Sequence, residues 1–291
     1  MSNDTMIDRY ITLALEGNGF LEPEFEYSVA YVQGDHCTLK RACVALDNDQ
    51  LLNSIWPTTR KIRDSLGSAG NRRAKEICRV LVLEYGLSAS LVPVLQQSIE
   101  VDLDLMHIVT NLLDRESEDA HALAKLAGVD VSDLLRWAEE LSDKLEHGIK
   151  KHAKDVESKI YSVLHSACLN INKEDEIIRE HSIGDYSVVI ETVYDENAID
   201  DIYDGEMEDD FVLATMMSLA RDQIQCVSLS CTITYLPSGI ESMQSFWAVM
   251  VPYGDKTFGG FLWDAFMEAK LEMRSMMELE GSSSEEGSEA A

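Results

Sequence analysis

Residues 120–137 read Ala-His-Ala-Leu-Ala-Lys-Leu-Ala-Gly-Val-Asp-Val-Ser-Asp-Leu-Leu-Arg-Trp, and this stretch decides how the middle of the chain folds. Leu123, Ala127, Val129, Leu134 and Trp137 fall where two helices joined by a tight turn need apolar packing. Ala124 is small enough for a close helix crossing. Gly128, four residues on, stands where the turn requires a positive φ. Asp130 or Ser132 can cap the second helix, and Asp133 suits its positive first turn.

The second helix continues well beyond Trp137. Apolar residues recur at Leu134, Ala138, Leu141, Leu145, Ile149, Ala153, Val156, Ile160, Val163 and Ala167, in steps of three and four that trace one helix face. No proline interrupts the run; only Gly148 weakens it, and a kink is expected there. A helix over 131–169 would span roughly 57 Å. Such a length permits two readings: a long core helix, or the seam of a homodimer. Alanine at three seam positions packs weakly and favours the core helix.

The Ala120–Trp137 unit resembles a helix-turn-helix. That resemblance implies DNA contact through the second helix, whose exposed positions would be Asp130, Val131, Ser132, Leu135 and Arg136, with Asp133 beside them. A base-reading helix normally offers Arg, Lys, Asn or Gln, and two carboxylates facing phosphates repel. Further cations cluster upstream at Arg60, Lys61, Arg63, Arg72, Arg73, Lys75 and Arg79. The candidate nucleic-acid-binding set is therefore Arg72, Arg73, Lys75, Arg79 and Arg136. Gly67-Ser68-Ala69-Gly70 leads into a helix start suited to a phosphate, but it lacks the Lys-Ser/Thr of a P-loop, so no nucleotide site is expected.

Charge sets the wider frame. The 291 residues carry 53 acidic and 24 basic side chains, a formal net charge of −29. This disfavours generic binding to nucleic acid or anionic membranes and suggests a basic partner, a need for solubility, or a high-salt setting. The imbalance is uneven: Pro57–His181 has 17 basic and 22 acidic residues, whereas Ser182–Ala291 has 4 basic and 22 acidic, a net of −18. At 45% hydrophobic the chain is globular. No apolar run approaches the ~18 residues of a membrane span. The N-terminus lacks the basic start and apolar core of a signal peptide. With no export signal, six scattered cysteines read as reduced thiols, so the expected location is cytoplasmic.

The remaining elements follow from local pattern. Thr5–Glu16 reads as a helix and Phe25–Val32 as a half-buried strand, while His36–Leu46 fits helix or strand. Leu51–Trp56 leads to Pro57, which starts a helix over Thr58–Leu66. Helices are expected over Asn71–Tyr85, Ser88–Ser98 and Val101–Leu113. Tyr186–Tyr194 reads as a strand and Phe211–Gln223 as a helix. Ile224–Leu236 and Met243–Val251 form a hairpin turned by Pro237-Ser238-Gly239. Thr257–Leu279 is a final helix rich in Met and aromatic residues.

The expected fold is α+β and helix-rich, with a helical middle packed with or inserted into a small antiparallel sheet. Its regions would be 1–56, a helix and strand pairing with the C-terminal sheet; 57–181, helical; 182–280, an acidic α+β region with the hairpin; and 281–291, a disordered acidic tail.

No motif for catalysis stands out. There is no Cys-x-x-Cys, and Cys226 and Cys231, five apart on a strand, point to opposite faces. His147 and His152 are also five apart, the wrong spacing for a shared zinc on a helix. Asp200-Asp201-Ile202-Tyr203-Asp204-Gly205 starts like a calcium loop but puts Ile202 and Phe211 at ligand positions. Gly-x-Ser-x-Gly is absent. Glu268-Ala269-Lys270 has nuclease-like letters in a helix, where that chemistry needs a strand. No metal and no cofactor are expected, and an enzyme is the weaker reading.

The favoured function is a non-catalytic interaction or regulatory protein. Its acidic surface would bind a basic partner, in the limit as a DNA-mimic inhibitor of a nucleic-acid-binding protein. Asp200, Asp201, Asp204, Glu206, Glu208, Asp209 and Asp210 would carry it. The alternatives are a helix-turn-helix DNA-binding regulator and, third, a carboxylate- and Mg²⁺-dependent enzyme.

Overall fold

The computed structural model describes residues 5–28, 36–59, 70–94, 98–114, 117–170, 175–193, 195, 198–203, 206–255 and 257–286. The fold is α+β with one very long helix, and it contains two four-stranded antiparallel sheets where a single small one was expected. The chain divides into two compact units, Ile11–Ser162 and the pair of segments Met1–Tyr10 and Val163–Ala291.

In the first unit the sheet is a meander of β1 (Phe20–Ser28), β2 (His36–Val44), β3 (Ala89–Val94) and β4 (Ser98–Leu103), in that order. The N-terminal strands therefore pair with β3, and not with the C-terminal hairpin as the sequence suggested. The expected helices over Ser88–Ser98 and Val101–Leu113 are corrected to β3 and β4, with only Leu105–Asp114 helical. Ala89 and Leu91 are buried while Ser90 and Val92 are less so, which is strand alternation. Pro93 lies beyond the two β2–β3 pairs, Ala42↔Leu91 and Cys43↔Ser90, so its missing N–H costs no bond to β2. The outer strand β1 carries Pro23, Glu24 and Glu26, residues that discourage a further strand from adding at the edge.

The helices in chain order are α1 (Met6–Gly17), α2 (Asp49–Thr59), α3 (Gly70–Tyr85), α4 (Leu105–Asp114), α5 (Glu118–Ala127) and α6 (Leu134–Leu169). Ser117 caps α5 by accepting a bond from the Ala120 N–H. Gly128 ends the helix at φ 76°, its N–H donating to Ala124 O. A 3₁₀ turn, Val131–Asp133, leads into α6; Asp130 stands at the cap position with no side-chain cap bond. The helix expected over Thr58–Leu66 and the end of the Phe25–Val32 strand lie largely outside the described residues.

α6 is 36 residues long and unbroken through Gly148. Nine of the ten expected seam residues are buried; Leu164 replaces Val163 as the buried residue of that turn. The seam that suggested a homodimer is thus already covered within the chain. His152 sits among these residues, stacked on Phe20 with ring centroids 5.4 Å apart and Nε2 3.0 Å from Asn18 O. Burial lowers its pKa below the usual 6.5. Glu157, one turn on, accepts the Leu39 N–H at 2.7 Å.

In the second unit the sheet is β5 (Glu176–Ile183), β6 (Tyr186–Val193), β7 (Ile224–Tyr235) and β8 (Ile240–Pro252), each antiparallel to the next. The hairpin expected between β7 and β8 is present, closed at Tyr235↔Ile240. β7 is buried on both faces. Its Val227, Leu229, Cys231 and Ile233 belong to the apolar core on the side of α9 (Phe261–Glu286), whose Ala265, Ala269 and Met273 fill it. On the other side Cys226 Sγ meets Ala198 O at 3.7 Å and Ser228 Oγ donates to Asp195 at 3.1 Å. α7 (Ala198–Asp201) and α8 (Asp209–Ala220) connect β6 to β7. Of the expected disordered tail, 281–286 continues α9 and 287–291 lies outside the described residues.

Candidate functional site

The acidic run occupies the connection from β6 to β7. Asp200 and Asp201 lie on the single-turn α7; Asp204 is outside the described residues. Glu206, Glu208, Asp209 and Asp210 are all exposed. Glu208 is the N-cap residue of α8, and Asp209 and Asp210 form its first turn. Carboxylates there meet the positive end of the helix, so part of this acidity also stabilises α8 locally. Asp209 is engaged: one of its oxygens accepts Arg9 Nε at 2.9 Å and Nη2 at 2.5 Å. The local arrangement presents acceptors to solvent and can form charge-assisted hydrogen bonds with Arg or Lys of a partner.

The cationic set is less available. The side chains of Arg72 and Arg73 are outside the described residues. Lys75 donates to Asn53 Oδ1, and Arg79 pairs with Asp49 at 2.5 Å. On the second helix of the helix-turn-helix-like unit, Arg136 is 74% exposed but lies 3.6 Å from Asp133. Asp130, Ser132 and Leu135 share the exposed surface, as expected. That surface mixes one paired cation with two carboxylates.

Among the described residues no group of three His, Cys, Asp or Glu side chains is placed to hold a metal ion. No helix among them is long and apolar enough to cross a membrane. Glu268, Ala269 and Lys270 lie on α9 as a helix, with Ala269 buried and the other two exposed. No disulfide links the six cysteines, all of which are described; Cys37, Cys78, Cys226 and Cys231 are buried and Cys43 is exposed. Burial pushes the Cys37 and Cys78 thiols up to about 12, with Glu157 adding to the effect at Cys37.

Two features had no signal in the sequence beyond an abundance of Met and aromatic residues near the C-terminus. Trp247, Tyr253 and Trp263 are more than half exposed on β8, the turn after it and α9. A cavity between the sheet and α9 is lined by residues from strands that are distant in sequence. A helical pattern assigns faces only once the partner sheet is known, and this sheet is assembled from two hairpins, residues 176–193 and 224–252, that are separated in the chain. Compared with family models, curated proteins and solved structures, the chain matches none.

Proposed function

We propose that this is a non-catalytic interaction or regulatory protein that holds a basic partner on an acidic surface, as a DNA mimic does when it occupies the groove of a nucleic-acid-binding protein. The observation that carries the reading is the charge asymmetry: Ser182–Ala291 has 22 acidic and 4 basic residues. A compact domain of about 100 residues is roughly 35 Å across, and duplex DNA carries roughly 20 charges over that length. The net of −18 is therefore comparable in magnitude. The exposure of Glu206, Glu208, Asp209 and Asp210 supports the reading, because steering and charge-assisted bonds both need accessible carboxylates.

The test is capture from a nuclease-treated lysate at low salt and at about 0.5 M salt, where exposed charges are screened within a few ångströms. The expected result is a basic protein retained at low salt, released at high salt, and lost when Asp200, Asp201, Asp204, Glu206, Glu208, Asp209 and Asp210 become Asn or Gln. A second variant that keeps Asp209, and with it the Arg9 pair, separates charge from local folding. Salt-independent retention, or undiminished retention by both variants, rejects the reading.

A helix-turn-helix DNA-binding regulator is the second reading. It is favoured by the succession of α5, the left-handed Gly128 and α6, with Arg136 exposed near the start of α6. It requires DNA retention by the purified chain at low salt that Arg136→Glu abolishes.

A further inference from the structure

The cavity between α9 and its sheet has a volume of 380 Å³, inside the ~300–1,000 Å³ usual for small-molecule sites. Its walls are apolar: Val188 and Ile233 from the sheet, Phe266 and Met273 from α9. Val188, Ile233 and Met273 belong to the core of this unit, so the walls rest on rigid elements. Methionine adapts to varied apolar shapes.

The same cavity is lined by two cations, Lys270 and Arg274, four residues apart and so neighbours on one helix face. This runs against the composition. Only four basic residues occur in Ser182–Ala291, and two of them stand at this cavity. Lys270 is exposed and no described residue pairs with it. Arg274 gives its Nε to Glu278 at 3.0 Å, which leaves the terminal nitrogens of the guanidinium for another acceptor. An apolar pocket bordered by paired cations, in a region otherwise rich in carboxylates, is complementary to one chemistry: an anionic head on a hydrocarbon tail.

We infer that this cavity binds a long-chain carboxylate. The tail lies among Val188, Ile233, Phe266 and Met273, and the carboxylate lies between Lys270 and Arg274. Glu278 opposes the anion and is displaced from Arg274 when it binds. The acidic field around the cavity disfavours anions elsewhere on this region, so the site is local and saturable.

The experiment is calorimetric titration of the full chain with dodecanoate below its micelle concentration, with dodecyltrimethylammonium as the matched cation. The expected result is saturable binding of one dodecanoate, with the cation at least about tenfold weaker. In K270E/R274E dodecanoate affinity falls about tenfold or more, while the circular dichroism of the folded state stays unchanged, because both side chains are exposed. K270Q/R274Q gives an intermediate loss and guards against a folding defect in the reversed-charge variant. Absence of dodecanoate binding to the natural chain, equal binding of the two amphiphiles, or undiminished binding in K270E/R274E overturns the inference.

Discussion

Glu157 shows what a single buried carboxylate imposes. Burial raises its pKa above the ordinary 4.5, and the Leu39 N–H, Lys154 and Lys40 only partly oppose that shift. A carboxyl with a higher pKa folded than unfolded binds more protons when folded, so stability falls as pH rises through the folded pKa. Glu157→Gln keeps an acceptor for Leu39 but cannot ionise. The variant is therefore expected to gain on the natural chain between about pH 4 and about pH 7, read as the difference in urea midpoints. A difference that stays flat across that range contradicts the account. His152 works in the opposite direction. Its lowered pKa means that stability present above the usual 6.5 is lost as pH falls below it. Neither residue announces its environment in the sequence. Glu157 looks like any charged position on an amphipathic helix, and its acceptor role depends on a strand more than a hundred residues earlier.

At the level of elements, the turn between α5 and α6 was legible because its chemistry is local. Gly128 carries φ 76° and supplies the N–H that closes α5 on Ala124 O. A side chain at positive φ costs about 1 kcal/mol, so Gly128→Ala is expected to lower stability by about that amount in urea unfolding, with the helix content of the folded state unchanged. α6 was legible for a different reason. Its period persists over ten apolar positions, which no strand can imitate. β3 and β4 were misread for separate reasons. β3 is six residues long and largely apolar, a length at which periodicity does not separate helix from strand, whereas β4, Ser-Ile-Glu-Val-Asp-Leu, carries a strand's polar–apolar alternation but runs directly into the helical pattern of α4. Only the pairing of Ala42 with Leu91 and Cys43 with Ser90 settles it, and pairing between distant segments leaves no mark in either one. The same holds for the candidate sites. The charge of the acidic run is countable from the sequence, whereas the cavity needs three strands and a helix brought together before it exists.

For the molecule as a whole, the formal charge of −29 is a standing self-repulsion. Few described ion pairs offset it, and those that do are exposed, where a pair contributes about 0–1 kcal/mol. Added salt is expected to stabilise the protein. The urea midpoint should rise between about 10 mM and about 150 mM sodium chloride, as the screening length drops from ~30 to ~8 Å. A midpoint that falls with salt would mean that the exposed pairs outweigh the repulsion. The distribution of thiols carries a further consequence. Cys37, Cys78, Cys226 and Cys231 are buried, Cys168 is half-buried and Cys43 alone is exposed. The folded protein thus offers a maleimide dye one ready point of attachment, at the edge of the shallow cleft beside β2. A single-labelled chain follows without removing any native cysteine, and the number of dyes taken up per molecule becomes a direct count of how far the fold has opened.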